Sequence, residues 1–71
     1  MQEVKATMAG TIFQIEVKEG DAVTKGQVVV ILESMKMEIP LEAEVDGTVN
    51  KIHGAEGDFV DEDEVLVTIQ S

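Results

Sequence analysis

The chain is 71 residues long, with fifteen carboxylates against five lysines and no Arg, for a formal net charge of −10. With no Cys it has no disulfide or thiolate metal site, and a single His53 builds no His-rich one. The acidic balance and the lack of Trp and Tyr exclude nucleic-acid binding and adhesion to an anionic membrane. One imidazole and no thiol leave no catalytic set, so the chain reads as something other than a catalyst.

The remaining expectations follow from size and hydropathy. An apolar fraction of 44% with mean hydropathy +0.07 is a globular balance. No apolar run approaches the roughly 20 residues of a membrane span. Met1-Gln2-Glu3 does not open a signal peptide. A cytoplasmic, monomeric domain over residues 1–71 is the expectation. Domains this small need disulfides, a metal or unusually regular packing; only the last is open to this one.

Taken in chain order, the predicted elements are all strands and turns. Residues 11–18 form a strand ending at the turn Glu19-Gly20-Asp21, where Gly supplies a positive φ. Gly26 marks a second turn, followed by the β-branched run Val28-Val29-Val30-Ile31-Leu32. Met37, Ile39, Leu41, Ala43 and Val45 then alternate with polar residues and Pro40, a period-2 strand with one wet face. Residues 48–54 form another strand, Glu56-Gly57-Asp58 another turn, and Val65-Leu66-Val67-Thr68-Ile69 the last strand. No segment carries a capped 3.6-residue period. The fold class is all-β, a small closed sandwich or barrel.

A repeat explains how so short a chain closes a core. A shift of 37 positions aligns residues 4–34 with 41–71 without a gap. The identities include Gly10/Gly47, Thr11/Thr48, Ile15/Ile52, Glu19/Glu56, Gly20/Gly57, Asp21/Asp58, Val28/Val65 and Val30/Val67. Self-similarity at a fixed period marks supersecondary units that cannot bury an apolar face alone. Two copies imply a pseudo-two-fold pair, with Val28, Val30 and Leu32 facing inward like Val65, Val67 and Ile69. Gly26 aligns with Asp63, which also tolerates the left-handed region.

One turn departs from the pattern. The strands ending near Leu32 and beginning at Met37 must be joined through Ser34-Met35-Lys36, where a tight hairpin calls for Asn-Gly or Asp-Gly. A locally unsuitable pair at a turn tip marks a functional constraint. The plain alternative is an ordinary turn with a solvated lysine and methionines that cap the core.

The segment Glu33-Ser34-Met35-Lys36-Met37-Glu38 resembles the attachment motif of biotinyl domains, in which a lysine between two methionines tips a β-hairpin. The similarity extends through Lys18-Glu19-Gly20-Asp21, Lys25-Gly26-Gln27, Gly47-Thr48-Val49 and Glu56-Gly57-Asp58. In length and in the run Glu33 to Pro40 it is similar to the stand-alone biotin/lipoyl attachment proteins of bacilli. The resemblance implies a flattened barrel of two four-stranded antiparallel sheets about a pseudo-two-fold axis. It implies covalent biotin on Lys36, framed by Met35 and Met37, and service as a biotin carboxyl carrier. The implied partners are a biotin protein ligase, a biotin carboxylase and a carboxyltransferase. Two positions depart from the family: Ser34 stands where Ala is commoner, and Glu44 where many members have Pro. The gapless repeat also leaves no room for the protruding thumb of some biotin carriers.

Other candidates have plainer readings. Lys5, Lys18, Lys25 and Lys51 read as solvated charges. The carboxylates between Glu56 and Glu64 lack the spacing of a calcium loop and read as a solvated turn. His53 aligns with Glu16 and belongs on an exposed face; Met8 aligns with Val45 and belongs in the core. The repeat equivalents of Met35 and Lys36 fall at positions 72 and 73, so the chain end lies opposite the Lys36 hairpin. A lipoyl carrier on the same fold, whose tip is typically Asp-Lys-Ala, and an unmodified interaction module with an idle Lys36 are the alternatives.

Overall fold

A computed structural model describes residues 1–71 as eight strands and no helix. They are β1 (Gln2–Lys5), β2 (Gly10–Ile15), β3 (Ala22–Val23), β4 (Val28–Ser34), β5 (Met37–Glu42), β6 (Gly47–Ile52), β7 (Phe59–Val60) and β8 (Val65–Gln70). Two four-stranded sheets, ordered β1-β8-β6-β3 and β5-β4-β2-β7, face one another, and every pairing is antiparallel. Advancing each strand of one sheet by four gives the other, so the sheets are two-fold mates and each contains strands of both repeats.

The core between them is aliphatic. Ile12, Val29, Val30, Leu32, Val49, Val60, Leu66, Val67 and Ile69 are its most fully buried large side chains. Val30 and Leu32 face inward with Val67 and Ile69, as the repeat predicts, whereas Val28 and Val65 at the strand starts are only half-buried. Val29 and Leu66 join the core although alternation would turn both outward. A register shift between Val28 and Val30 against β5, and its mate across Leu66 against β1, inserts an extra residue there. Such a bulge lets two successive side chains serve the core. A second pair of shifts falls at Phe13 and Asn50.

The turns explain the repeated Glu-Gly-Asp. Gly20 and Gly57 have φ of 94° and 95°, while Gly26 and its mate Asp63 have φ of 90° and 69°. The Glu56 carboxylate accepts the Ile15 amide at 3.0 Å, and Glu19 accepts that of Ile52 at the same distance. Asp58 and Asp21 close their own turns by accepting the Ala55 and Lys18 amides, at 3.1 and 2.9 Å. Glu64 does the same for Asp61. The acidic run is therefore exposed yet structural, which sharpens its reading as a merely solvated turn: Asp58 and Glu64 supply acceptors to the loop's own backbone and Glu56 supplies one to the end of β2.

Other expectations need adjustment. The strands predicted over 11–18 and 48–54 end at Ile15 and Ile52, and the alternating strand from Met37 ends at Glu42. Ala43 and Val45 still face the core, but Ala43 bonds to the Gln27 and Gly26 backbone of a turn and not to a ladder. Met8 is not a core residue: it is 38% exposed, because residues 6–9 form the connection between β1 and β2, while its mate Val45 is half-buried. His53 is exposed as expected, with ring Nε2 2.8 Å from Thr68 Oγ1. At Glu44 the amide donates to Gln2 Oε1 at 2.8 Å and the carboxylate accepts from Gln2 Nε2 at 3.1 Å. A proline there would remove that donor.

Candidate attachment site at the hairpin tip

The strands β4 and β5 pair from Val28↔Glu42 to Ser34↔Met37, leaving a loop of Met35 and Lys36 alone. Both residues occupy the left-handed region, with φ of 54° and 64°. This is the geometry that two-residue hairpins adopt, because its twist matches that of the strands, and it normally selects Asn and Gly. Asp63 is the only other non-glycine with positive φ. Met35 and Lys36 are thus the only residues outside the usual Gly, Asn and Asp set to take this conformation, at roughly 1–2 kcal/mol each.

Nothing in the core compensates for that cost. Met35 is 86% exposed and Met37 57%, and Lys36 is exposed between them. By register Met37 continues the inward face of Ile39 and Leu41, but it lies past the end of the apolar core. Met35 therefore caps nothing, and Met37 is more than half exposed. They flank an outward-directed amine with flexible, polarizable apolar side chains of the kind used at adaptable binding surfaces.

The base of the hairpin is held from the neighbouring strand. A Cβ on Gly10 would lie 2.7 Å from the Glu33 carbonyl oxygen and 3.3 Å from Ser34 Cβ, so only glycine lets β2 approach β4 there. Gly47 meets the Gln70 carbonyl in the same way in the other sheet. The signal for this role in the sequence is the Gly10/Gly47 identity itself: two aligned glycines that open strands, neither with a positive φ to require glycine. One position below the tip, Glu33 and Glu38 stand directly opposite each other. Like charges so placed are mildly unfavourable.

A family model described as "Biotin-requiring enzyme" (biotin/lipoyl) matches residues 2–69. The chain belongs to the biotin/lipoyl attachment family. The "Biotin/lipoyl attachment protein" of Bacillus subtilis is 56% identical over 41 residues, 58% of this chain and 56% of that protein. "Biotinylated protein TB7.3" of Mycobacterium tuberculosis is 50% identical over 42 residues, 59% of each chain. The matched stretch thus spans little more than half the length of these relatives. The 1.3S subunit of the methylmalonyl-CoA carboxyltransferase of Propionibacterium freudenreichii is 58% identical over 36 residues, 51% of this chain and 29% of that one.

Solved structures agree on the fold of this biotin/lipoyl attachment chain. The Kluyveromyces lactis urea carboxylase superposes with a TM-score of 0.92 at 29% identity over 97% of this chain and 6% of that one. The lipoyl domain of the 2-oxoglutarate dehydrogenase complex of Azotobacter vinelandii gives 0.79 at 28% identity over 96% of both chains.

Proposed function

We propose that the chain is a biotin carboxyl carrier in which Lys36 is the attachment residue and a biotin protein ligase is the enzyme that loads it. The observation that carries this reading is the tip itself: two non-glycine residues in left-handed backbone, with the amine exposed between two exposed methionines. The tip fits a covalent acyl group. The Lys36 Nζ can attack an activated acyl carbon held by the ligase; the C–N bond forms, the acyl leaving group departs with its bonding electrons, and the ammonium gives up two protons in all, one before attack and one after, keeping the third on the amide nitrogen. Only the deprotonated amine has a lone pair with which to attack, so the ligase must take the first proton. The domain acts as substrate in that step.

When attached, biotin supplies a ring that carries CO₂ between a biotin carboxylase and a carboxyltransferase. The chain's own part is presentation. Its closed double sheet fixes the tip while the lysine side chain remains free in solvent, which raises the concentration of the attached group at each site visited. We place the protein in the cytoplasm as a monomer on its composition alone.

A lipoyl carrier is the second reading, favoured by the likeness to the 2-oxoglutarate dehydrogenase lipoyl domain over nearly its whole length; Met35 and Met37 weigh against it. Intact mass of the protein from a host with an active ligase separates biotinyl, lipoyl and unmodified forms. One biotinyl group per chain is expected, absent in Lys36→Arg. An unmodified wild type overturns the carrier reading. Met35→Asp with Met37→Ala is expected to move labelling from biotin toward lipoate; unchanged labelling shows that the ligase does not read the flanking residues.

A further inference from the structure

The two-fold relation allows each outer face to be compared with its mate, and they differ. On β5-β4-β2-β7, the sheet that bears the hairpin, the outward positions include Phe13, Ile31, Pro40 and Phe59. The two-fold mates on the other sheet are Asn50, Thr68, Glu3 and Ala22. Phe13 and Phe59 are 48% and 67% exposed and lie near each other, since Phe59 pairs with Thr11, two residues from Phe13. Across this sheet one row runs Phe59–Thr11–Glu33–Glu38, one residue below the Ser34↔Met37 pair.

The charges differ in the same sense. No strand of the hairpin-bearing sheet contains a cation, whereas its mate carries Lys5 and Lys51, whose two-fold equivalents are Glu42 and Gln14. Neither difference serves the fold, because the other sheet closes the same core without these residues. Exposed aromatics beside unpaired acids suit a protein surface with an apolar centre and a basic rim.

We propose that this outer face, centred on Phe13 and Phe59, is the surface by which the loading enzyme grips the chain, through an apolar patch ringed by Lys or Arg. This rests on the assignment of Lys36 as the attachment residue. The loading enzyme is favoured over those served later because Lys36 must itself enter its active site. The Phe59–Glu38 row lies only about 7 Å behind the tip at the rise of a strand, whereas a loaded arm reaches its later sites without pressing this face so close.

The test measures initial labelling rate against carrier concentration with a biotin protein ligase, ATP and biotin. Phe13→Asn/Phe59→Ala introduces the residues of the two-fold mates and is expected to raise KM about tenfold or more, as loss of a central aromatic pair does, with little change in kcat. Thr11→Lys, between Phe59 and Glu33, is expected to raise KM as well, while Thr48→Lys at the mate position leaves it unchanged. Should the double variant lose its circular dichroism, the two lysine variants decide. Labelling at Lys36 with KM unaffected in Phe13→Asn/Phe59→Ala, or with Thr11→Lys and Thr48→Lys acting alike, overturns the docking face and leaves the carrier reading standing. Failure to label wild type removes both.

Discussion

Replacing Met35-Lys36 with Asn-Gly tests whether the tip is conformationally costly. Left-handed backbone costs an L residue roughly 1–2 kcal/mol, so the native pair, with φ of 54° and 64°, forfeits about 2–4 kcal/mol by that same scale. Asn relieves only part of its share, and Gly returns about 0.5–1 kcal/mol through the freedom it adds to the unfolded chain. Met35 is 86% exposed, so its removal takes little packing away. The net gain is then about 1–2 kcal/mol, which for a domain of this size raises Tm by about 4–16 °C. Lys36→Gly also removes the cation beside the Glu33–Glu38 pair, so Met35→Asn alone, which keeps it, is the control and is expected to give a smaller rise. With no Trp or Tyr in the chain, unfolding is followed by far-ultraviolet circular dichroism or calorimetry. A Tm that stays level or falls in both variants refutes the argument that the tip sacrifices stability.

Two further perturbations probe what supports the hairpin and the repeat. Gly10→Ala forces a Cβ onto the Glu33 carbonyl and is expected to destabilise by about 1–3 kcal/mol, with Gly47→Ala comparable; both are read by urea unfolding. Glu19→Ala and Glu56→Ala each delete one carboxylate acceptor for a backbone amide of the other repeat. Each is expected to cost about 0.5–1.5 kcal/mol, nearly equal as two-fold mates, and a large inequality between them in urea unfolding contradicts the symmetry of these clasps.

Much of this was legible because local signals and the repeat agree. The glycine turns, the left-handed Asp63 and the unsuitable Met35-Lys36 pair all follow from which residues tolerate positive φ. The strand ends were not legible. The alternation through Ala43 and Val45 reports burial, which continues after β5 has left its ladder at Glu42. The bulges at Val29 and Leu66 were hidden for a related reason: an uninterrupted aliphatic run gives no period from which to detect one extra residue. Met8 was misplaced because alignment with Val45 passes on a position but not its surroundings. Gly10 stood in plain view, and its role appeared only when β4 was laid beside it.

Because each sheet draws strands from both repeats, the two halves are laced together and are not merely stacked. Neither half can come away as a unit, since its departure would strip partners from all the strands that stay. Such a lattice has few ways to open partially, so unfolding is expected to be all-or-none, and assembly has to wait for pairings distant in sequence, such as Gln2 with Ile69. For the proposed carrier, which would present one side chain to its loading enzyme and its later partners, that interlocking is expected to confine motion to the tip.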